Sequence, residues 1–272
     1  MLRRAFARLI AAGLVAWASL SSATTAAATT VDVQLVLAAD VSRSIDDGEF
    51  QLQRQGYAAA FKDPRVLQAI RSGPIGRIAV CFLEWSGMDS QHVIVDWTVI
   101  EDDETAGAFA DALLSVPRQF ANRTAIGAAI DFAVAQFARS NHESLRRTID
   151  ISGDGTNTDG RSPARARDDA VAAGITINGL VILSPEPMPW NPLHTHPPGG
   201  LELYYRENVV GGPGAFVIVV DDFTSFAHAI TNKLVREIAG VDRAAPPLMH
   251  VDAHAHQASA RHRQDPAPYN AR

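Results

Sequence analysis

The sequence contains a single cysteine, Cys81, among its 272 residues. One thiol excludes an intrachain disulfide, so the folded chain must be stabilised by its hydrophobic core alone. Cys81 lies in the apolar run RIAVCFLEW, where we expect a buried small hydrophobic residue and not a nucleophile. No cysteine near the N-terminus is placed to accept a lipid.

The sequence also lacks an uninterrupted apolar run of the roughly 20 residues that a membrane-spanning helix needs. The apolar stretch from Leu9 to Leu20 follows the basic stretch MLRRAFAR and precedes the small, polar stretch SSATTAAATT. These three regions are typical of a secretory signal peptide, with Ala28 ending a small-x-small cleavage site. We therefore predict a signal peptide over 1–28 and an exported mature chain without a membrane span, periplasmic or secreted in a Gram-negative bacterium. The pair Arg3-Arg4 leaves open whether the chain is exported by the Sec route or by the twin-arginine route.

Basic residues are in the minority, with 24 Lys+Arg against 30 Asp+Glu and a net charge of −6. The predicted signal peptide holds three arginines and no acidic residue, so the mature chain carries −9. An acidic chain is repelled by the phosphate backbone, which excludes nucleic acid as the expected partner. The sequence also contains no P-loop and no glycine-flanked G-x-S-x-G nucleophile motif.

What the sequence does contain is an alternation of strand-like and helical segments between Val31 and Gly240. This alternation predicts an α/β fold, an open, doubly wound, mostly parallel sheet with helices on both faces. The runs RIAVCFLEW and HVIVDWTVI, joined by the turn SGMDSQ, predict one antiparallel edge strand. Asp46 and Glu49 form a capping box before the first helix. The Pro-rich segment 184–214 is expected to be a loop, and residues 242–272 a disordered tail rich in His, Pro and Ala.

Oxygen-bearing side chains lie in three loops, each at the end of a predicted strand or just before a predicted helix. Asp40 ends the first strand and is followed by Ser42 and Ser44, Thr124 precedes an alanine-rich helix, and Asp154 follows the strand RRTIDIS. Ligands of open α/β sheets bind at the carboxyl ends of the strands, where the strand order reverses. Two carboxylates and three hydroxyls, without His or Cys, form a hard-oxygen set that suits Mg²⁺ or Mn²⁺ and not zinc.

The stretch DVSRS resembles the D-x-S-x-S signature of the metal-ion-dependent adhesion site in von Willebrand factor type A domains. Thr124 and Asp154 match the second and third metal loops of that family, and the element order is similar. The resemblance implies a Rossmann-like domain over 29–241. It is closest to a bacterial exported subgroup known as a domain of unknown function, which the stretches ISGDGTN, INGLVIL and GGPGAF resemble.

The resemblance also implies a function. In the family, the serines and the threonine bind the ion directly, the aspartates often act through water, and a partner's carboxylate completes the octahedron. We therefore expect an exported metal-dependent binding or adhesion protein, not an enzyme, that captures an acidic group of a protein partner. Two departures are visible: the third loop reads Ser-Gly-Asp-Gly where many relatives have Thr-Asp-Gly, and the Pro-rich segment is longer than usual. The partner's identity and the oligomeric state stay open.

The alternative function is a metal-dependent hydrolase that uses the same aspartates. Such an enzyme needs a base beside the metal, and the three loops contain no His, Lys or Cys.

Several further residues have two interpretations each. Asp150 is expected to be a structural carboxylate, with an acceptor for a metal ligand as the alternative. His194 and His196 are assigned to a solvated loop, with soft-metal binding as the alternative. Four aromatic residues are expected to pack in the core or against loops, with a ligand cage as the alternative: Trp85, Trp97, Tyr204 and Tyr205.

Overall fold

The computed structural model of the chain describes residues 28–119 and 123–240 and the backbone of 250–251. The predicted signal peptide, apart from Ala28, and most of the predicted tail lie outside the described residues. The strands are β1 (Thr29–Thr30), β2 (Gln34–Asp40), β3 (Ile78–Trp85), β4 (Gln91–Ile100), β5 (His142–Glu143), β6 (Arg147–Gly153), β7 (Ile175–Ile182), β8 (Val217–Val220) and β9 (His250–Val251). The helices are α1 (Asp47–Phe61), α2 (Pro64–Arg71), α3 (Asp103–Ser115), α4 (Ile126–Arg139), α5 (Pro163–Ala172), α6 (Pro192–Thr195), α7 (Gly200–Asn208) and α8 (Phe226–Ala239).

The main sheet has the strand order β4-β3-β2-β6-β7-β8-β9. The edge strand β4 runs antiparallel to β3, and the other neighbours pair in parallel. A separate two-stranded parallel ladder joins β1 to β5. The prediction of a mostly parallel sheet with one antiparallel edge strand is therefore confirmed.

Helices cover both faces of this sheet, because its central strands are apolar on both sides. In β2, Leu35 and Leu37 belong to one hydrophobic cluster, whereas Val36 and Ala38 belong to the other. The first cluster includes residues of α1, α2, α3 and α8, and the second includes residues of α4, α5 and α7. This is the doubly wound arrangement that the sequence predicts.

The order of the strands reverses at β2, and this reversal positions the site. The chain passes from β2 to β3 on one side and later enters β6 on the other. A crevice at such a switch point is where ligands of open α/β sheets bind. Asp40 is the last residue of β2, and Asp154 directly follows β6. The predicted capping box is confirmed, since Asp46 accepts from Glu49 N and the Glu49 side chain accepts from Asp46 N.

Two helices lie in the segment 184–214, so the prediction of a continuous loop there is wrong. The helix α7 begins just after Gly199, which adopts φ 81°, and buries Leu201 and Tyr205, one helical turn apart. Its nine residues follow a run of prolines and glycines, which hides the helical period from sequence analysis. Within the predicted tail, β9 pairs with Val219 and Val220. In the part of the chain that the structure describes, no helix has the length and apolarity to cross a bilayer.

Candidate metal site

Asp40, the last residue of β2, lies at the switch point of the sheet and is fully buried. Its Oδ1 accepts a 2.7 Å hydrogen bond from the backbone N–H of Ser42, and its backbone carbonyl accepts from Gln53 Nε2 at 3.0 Å. Among the described residues, its Oδ2 has no hydrogen-bond partner. Leaving a buried carboxylate oxygen without a partner costs free energy, so this atom is available to an external ligand.

A chain of hydrogen bonds links the first loop to the third. Ser42 Oγ lies 3.1 Å from Ser44 Oγ, and Ser44 Oγ donates a 2.7 Å hydrogen bond to Asp154 Oδ1. Asp154 is buried like Asp40. The structure therefore brings four of the five predicted site residues into one cluster.

The two carboxylates of this cluster are electrostatically unfavourable as they stand. Burial and the neighbouring Asp154 raise the pKa of Asp40 well above its usual range. Burial also raises the pKa of Asp154 to about 6, and the charge of Glu49 adds to this shift. A divalent cation would offset both the lost hydration and the mutual repulsion of the two acids. The orphaned Asp40 oxygen and the hydroxyls beside it therefore fit a hard cation.

Thr124 lies at the same end of the sheet, just before α4. It is almost fully buried, and its backbone carbonyl accepts from Thr158 N at 2.8 Å. Thr124 and Ser44 line one cavity of about 400 Å³. The nearest polar contact of the Thr124 hydroxyl is a histidine ring, with Oγ1 3.4 Å from His194 Nε2.

His194 is a site neighbour that sequence analysis missed. It lies in α6 and is 4% exposed, so its assignment to a solvated loop is wrong, whereas His196 is exposed. Its backbone carbonyl accepts from Thr156 N at 2.9 Å, and its ring packs on Gly155, where a Cβ would overlap the imidazole. Burial lowers the pKa of His194, which keeps the ring neutral at neutral pH. No periodic signal in the Pro-rich segment indicates this placement.

Tyr205 is the second missed neighbour. Its hydroxyl is buried and, within the described ranges, makes no hydrogen bond. A Cβ on Gly153 would lie 2.5 Å from this hydroxyl and 3.1 Å from Asp40 Oδ2. The Ser-Gly-Asp-Gly departure therefore makes room for Tyr205 beside Asp40. Burial and the charges of Asp40 and Asp154 raise the pKa of Tyr205 well above its usual range, so its hydroxyl stays protonated.

The Pro-rich segment borders the solvent side of the cluster. The Arg43 guanidinium, from the first metal loop, lies 5.0 Å from the centre of the Trp190 ring. A cavity of about 250 Å³ is lined by Ser44 and Asp154 on one side and by Glu186 and Trp190 on the other. The segment therefore shapes the approach to the two acids.

Asp150 belongs to a different, fully buried cluster between β6 and α8. Lys233 Nζ lies 2.7 Å from Asp150 Oδ1 and 2.5 Å from Glu237 Oε1, and Asn178 donates to the same Glu237 oxygen at 2.8 Å. Two acids share one ammonium here. Burial raises the pKa of Asp150 to about 7, Lys233 opposes this shift and Glu237 adds to it. The interpretation of Asp150 as a structural carboxylate is confirmed.

Over residues 28–119 and 123–240, no group of three or more His, Cys, Asp and Glu side chains is arranged to hold a metal. An ion between Asp40 and Asp154 would therefore need the hydroxyl oxygens, as the sequence predicts.

The strand order, the antiparallel edge, the helices on both faces and the Asp-Ser-Ser loop at the switch point define a von Willebrand factor type A-like domain. The chain belongs to the family described as "Protein of unknown function (DUF1194)", whose sequence model matches residues 30–242. No curated protein matches the chain.

Several solved structures share the fold. Proximal thread matrix protein 1 from the mussel byssus is 16% identical, with a TM-score of 0.53 over 78% of this chain and 47% of that one. A von Willebrand factor type A protein from Catenulispora acidiphila is 14% identical, with a TM-score of 0.51 over 77% and 43%. The pilus adhesin SpaC from Lactobacillus rhamnosus GG, in its open conformation, is 12% identical, with a TM-score of 0.56 over 77% and 30%. The chain thus spans less than half the length of these proteins. A further byssus-protein structure, 15% identical with a TM-score of 0.53 over 78% and 46%, is described with a zinc-occupied MIDAS motif.

Proposed function

We propose that this chain is an exported binding protein that captures an acidic group of a protein partner through a divalent cation, Mg²⁺ or Mn²⁺. The ligand set is Asp40, Ser42, Ser44, Thr124 and Asp154. The single observation that carries the proposal is the buried Asp40 Oδ2, which has no hydrogen-bond partner among the described residues and lies in a hydrogen-bonded cluster with a second buried carboxylate. The adhesin among the proteins of similar fold supports a binding role.

The chemistry of the set favours an anionic partner group. Two carboxylates balance the charge of a divalent cation, whereas hydroxyl ligands add no negative charge. The bound cation would act as a Lewis acid toward an incoming carboxylate oxygen. The chain's own residues fix this acid–hydroxyl set through β2, β6 and the loop before α4.

The surface around the cluster offers apolar contacts to a partner. Trp190 is 64% exposed and lines both cavities beside the cluster, and Leu193, also on the Pro-rich segment, is 63% exposed. Exposed large apolar side chains beside a polar recognition group are typical of protein–protein interfaces. We therefore expect a partner that places a carboxylate next to an apolar patch.

Calorimetry tests the cation site. Mature protein titrated with Mg²⁺ or Mn²⁺ should give saturable binding that Asp40→Ala abolishes. Asp131→Ala, which removes an exposed acid of α4 paired with Arg161, is the matched control and should bind as the wild type does. Equal responses of the wild type and Asp40→Ala would show that the site is wrong.

Capture experiments test the partner. Periplasmic extract passed over immobilised mature protein should yield a partner in Mg²⁺ that is released by chelator. The same partner should not bind the Asp40→Ala variant. Recovery that is unaffected by chelator would exclude a cation-bridged contact.

One observation keeps the hydrolase alternative in view. His194, in α6, lies beside Thr124, where a neutral imidazole has the chemistry of a general base. Metal-dependent turnover of phosphoesters or esters, abolished in Asp40→Ala and in His194→Ala, would establish this function. Absence of turnover across the panel, with cation binding intact, favours the binding protein.

Export is tested by the mature N-terminus. Protein recovered from the periplasm should begin near Thr29, which is also the first residue of β1. A retained Met1 on exported material would overturn the signal-peptide assignment.

A further inference from the structure

The cavity of about 400 Å³ beside Thr124 is lined by two arginines, Arg43 and Arg123, and by no acidic residue. Both arginines are exposed, and among the described residues neither guanidinium forms an ion pair or donates a hydrogen bond. We call this cavity the arginine cavity. In a chain with 30 Asp+Glu against 24 Lys+Arg, such uncompensated positive charge attracts an acidic ligand.

Both arginines are sequence neighbours of proposed cation ligands. Arg43 lies between Ser42 and Ser44, and Arg123 directly precedes Thr124. Consecutive Cα atoms are only about 3.8 Å apart, so the arginine cavity adjoins the proposed cation position. A partner group that reaches the cation therefore passes beside the two guanidinium groups.

The arginine cavity shares one wall with the smaller cavity of about 250 Å³. Ser44, Met188 and Trp190 line both cavities, and the acids Asp154 and Glu186 line only the smaller one. Charges of opposite sign thus border the same three residues. The acidic side suits a cation, and the basic side suits an anion.

We propose that the arginine cavity binds a second carboxylate of the partner, so that the site recognises an acidic segment with two neighbouring acids. The first acid is the one that the cation binds, so this inference rests on the proposed function. Arginine suits the second acid because its planar fork of N–H groups matches a carboxylate in a bidentate pair. The Arg43 guanidinium lies over the Trp190 ring, 5.0 Å from its centre, which holds the flat group in place and leaves its N–H edge for the acid.

The two arginines should act in opposite directions on the two ligands. Their positive charge repels a cation at the neighbouring site and attracts an acid. In the double variant Arg43→Gln with Arg123→Gln, the affinity for Mg²⁺ should therefore stay the same or rise, while the affinity for a doubly acidic peptide falls. A purely structural role of the arginines would lower both affinities.

NMR chemical-shift titration with synthetic peptides tests the proposal. The probes are acetylated, amidated glycine peptides that carry one aspartate, or two aspartates separated by up to three glycines. Mature protein is titrated in Mg²⁺ and again in chelator, as the wild type and as the double variant. Arg165→Gln is the matched control, because it removes an exposed arginine of α5 that lines neither cavity.

In Mg²⁺, the best doubly acidic peptide should bind the wild type about three- to tenfold more tightly than the singly acidic peptide. The double variant should lose this preference, and Arg165→Gln should keep it. Equal affinities of the wild type for all peptides, a preference that survives in the double variant, or a loss of Mg²⁺ affinity in that variant would overturn this inference. Binding of the singly acidic peptide that chelator abolishes would then leave the proposed function standing, whereas peptide binding that is absent or unaffected by chelator would overturn both.

Discussion

Ser44 Oγ donates a 2.7 Å hydrogen bond to Asp154 Oδ1, which joins two loops that are 110 residues apart in the sequence. The hydrogen bond holds the buried carboxylate of Asp154, in the third loop, beside the hydroxyls of Ser42 and Ser44 in the first loop. It also lowers the pKa of Asp154, against the larger effect of burial. The two loops therefore act as one unit, and changes in either should alter cation binding.

Ser44→Ala should lower the affinity for Mg²⁺ or Mn²⁺ by at least about tenfold, because it removes one proposed ligand and frees the Asp154 carboxylate that it orients. Ser115→Ala, at the exposed end of α3, is the control and should leave affinity unchanged. Calorimetric titration of the three proteins makes the comparison. An unchanged affinity in Ser44→Ala would remove Ser44 from the site.

Gly153→Ala should weaken cation binding and destabilise the fold by about 1–3 kcal/mol, since its Cβ would crowd the Tyr205 hydroxyl and the Asp40 carboxylate. Gly107→Ala is the matched control: it adds a methyl group with no atom within 4 Å, and alanine favours the helix. Urea unfolding and calorimetry measure the two effects. If both variants behave alike, the close packing around Gly153 is not what the site requires.

Tyr205→Phe should lower the affinity for the cation by about tenfold with little change in stability, because the Tyr205 hydroxyl and Asp40 Oδ2 both lie close to the position that a Cβ on Gly153 would take. Tyr57→Phe serves as the control. It removes another buried hydroxyl, one that donates to Ser152 Oγ at 3.2 Å. An equal loss of affinity in both variants would point to a general packing effect and not to positioning of Asp40.

The buried Asp150 cluster predicts a pH dependence of stability. The pKa of Asp150 is raised to about 7 in the native state, against about 4 in an unfolded chain. Between about pH 4 and pH 7 the native state binds more protons at Asp150 than the unfolded state does. The contribution of Asp150 to the free energy of unfolding is therefore fully present below about pH 4 and is lost as pH rises through about 7.

Asp150→Asn removes this titration and keeps the shape of the side chain. In chelator, its free energy of unfolding should fall less between pH 5 and pH 7 than that of the wild type, by up to about 1.4 kcal/mol per pH unit. Asp131→Asn, at an exposed acid, should keep the wild-type slope. Urea denaturation at several pH values gives the slopes, and identical slopes for the wild type and Asp150→Asn would contradict the raised pKa.

The sheet and the first metal loop could be predicted because their signals are local. The five apolar residues of β2, Leu35 to Ala39, have the pattern of a strand buried on both faces, and Asp40, Ser42 and Ser44 lie within five residues of one another. The alternation of elements places Asp154 at the same end of the sheet as Asp40. A strand order that reverses at β2 then brings the two acids together.

The contributions of the Pro-rich segment could not be predicted. His194 lies beside Thr124 with α6 hydrogen-bonded to Thr156, and the Tyr205 hydroxyl lies next to Gly153, on the side of Asp40, with α7 packed on β7 and β8. Neither contact leaves a periodic pattern in the sequence. Gly153 was visible as a departure from the resembled family, but the side chain that fills its place comes from a helix hidden among prolines and glycines.

The central claim is that five side chains from three loops share one cation, and anomalous diffraction tests it most directly. Crystals of the mature protein grown with Mn²⁺ should show an anomalous difference peak in contact with the oxygens of the Asp40–Ser42–Ser44–Asp154 cluster and with Thr124 Oγ1. A bound Mn²⁺ at another place, or a peak at this cluster from which Thr124 is too distant to coordinate, would contradict it.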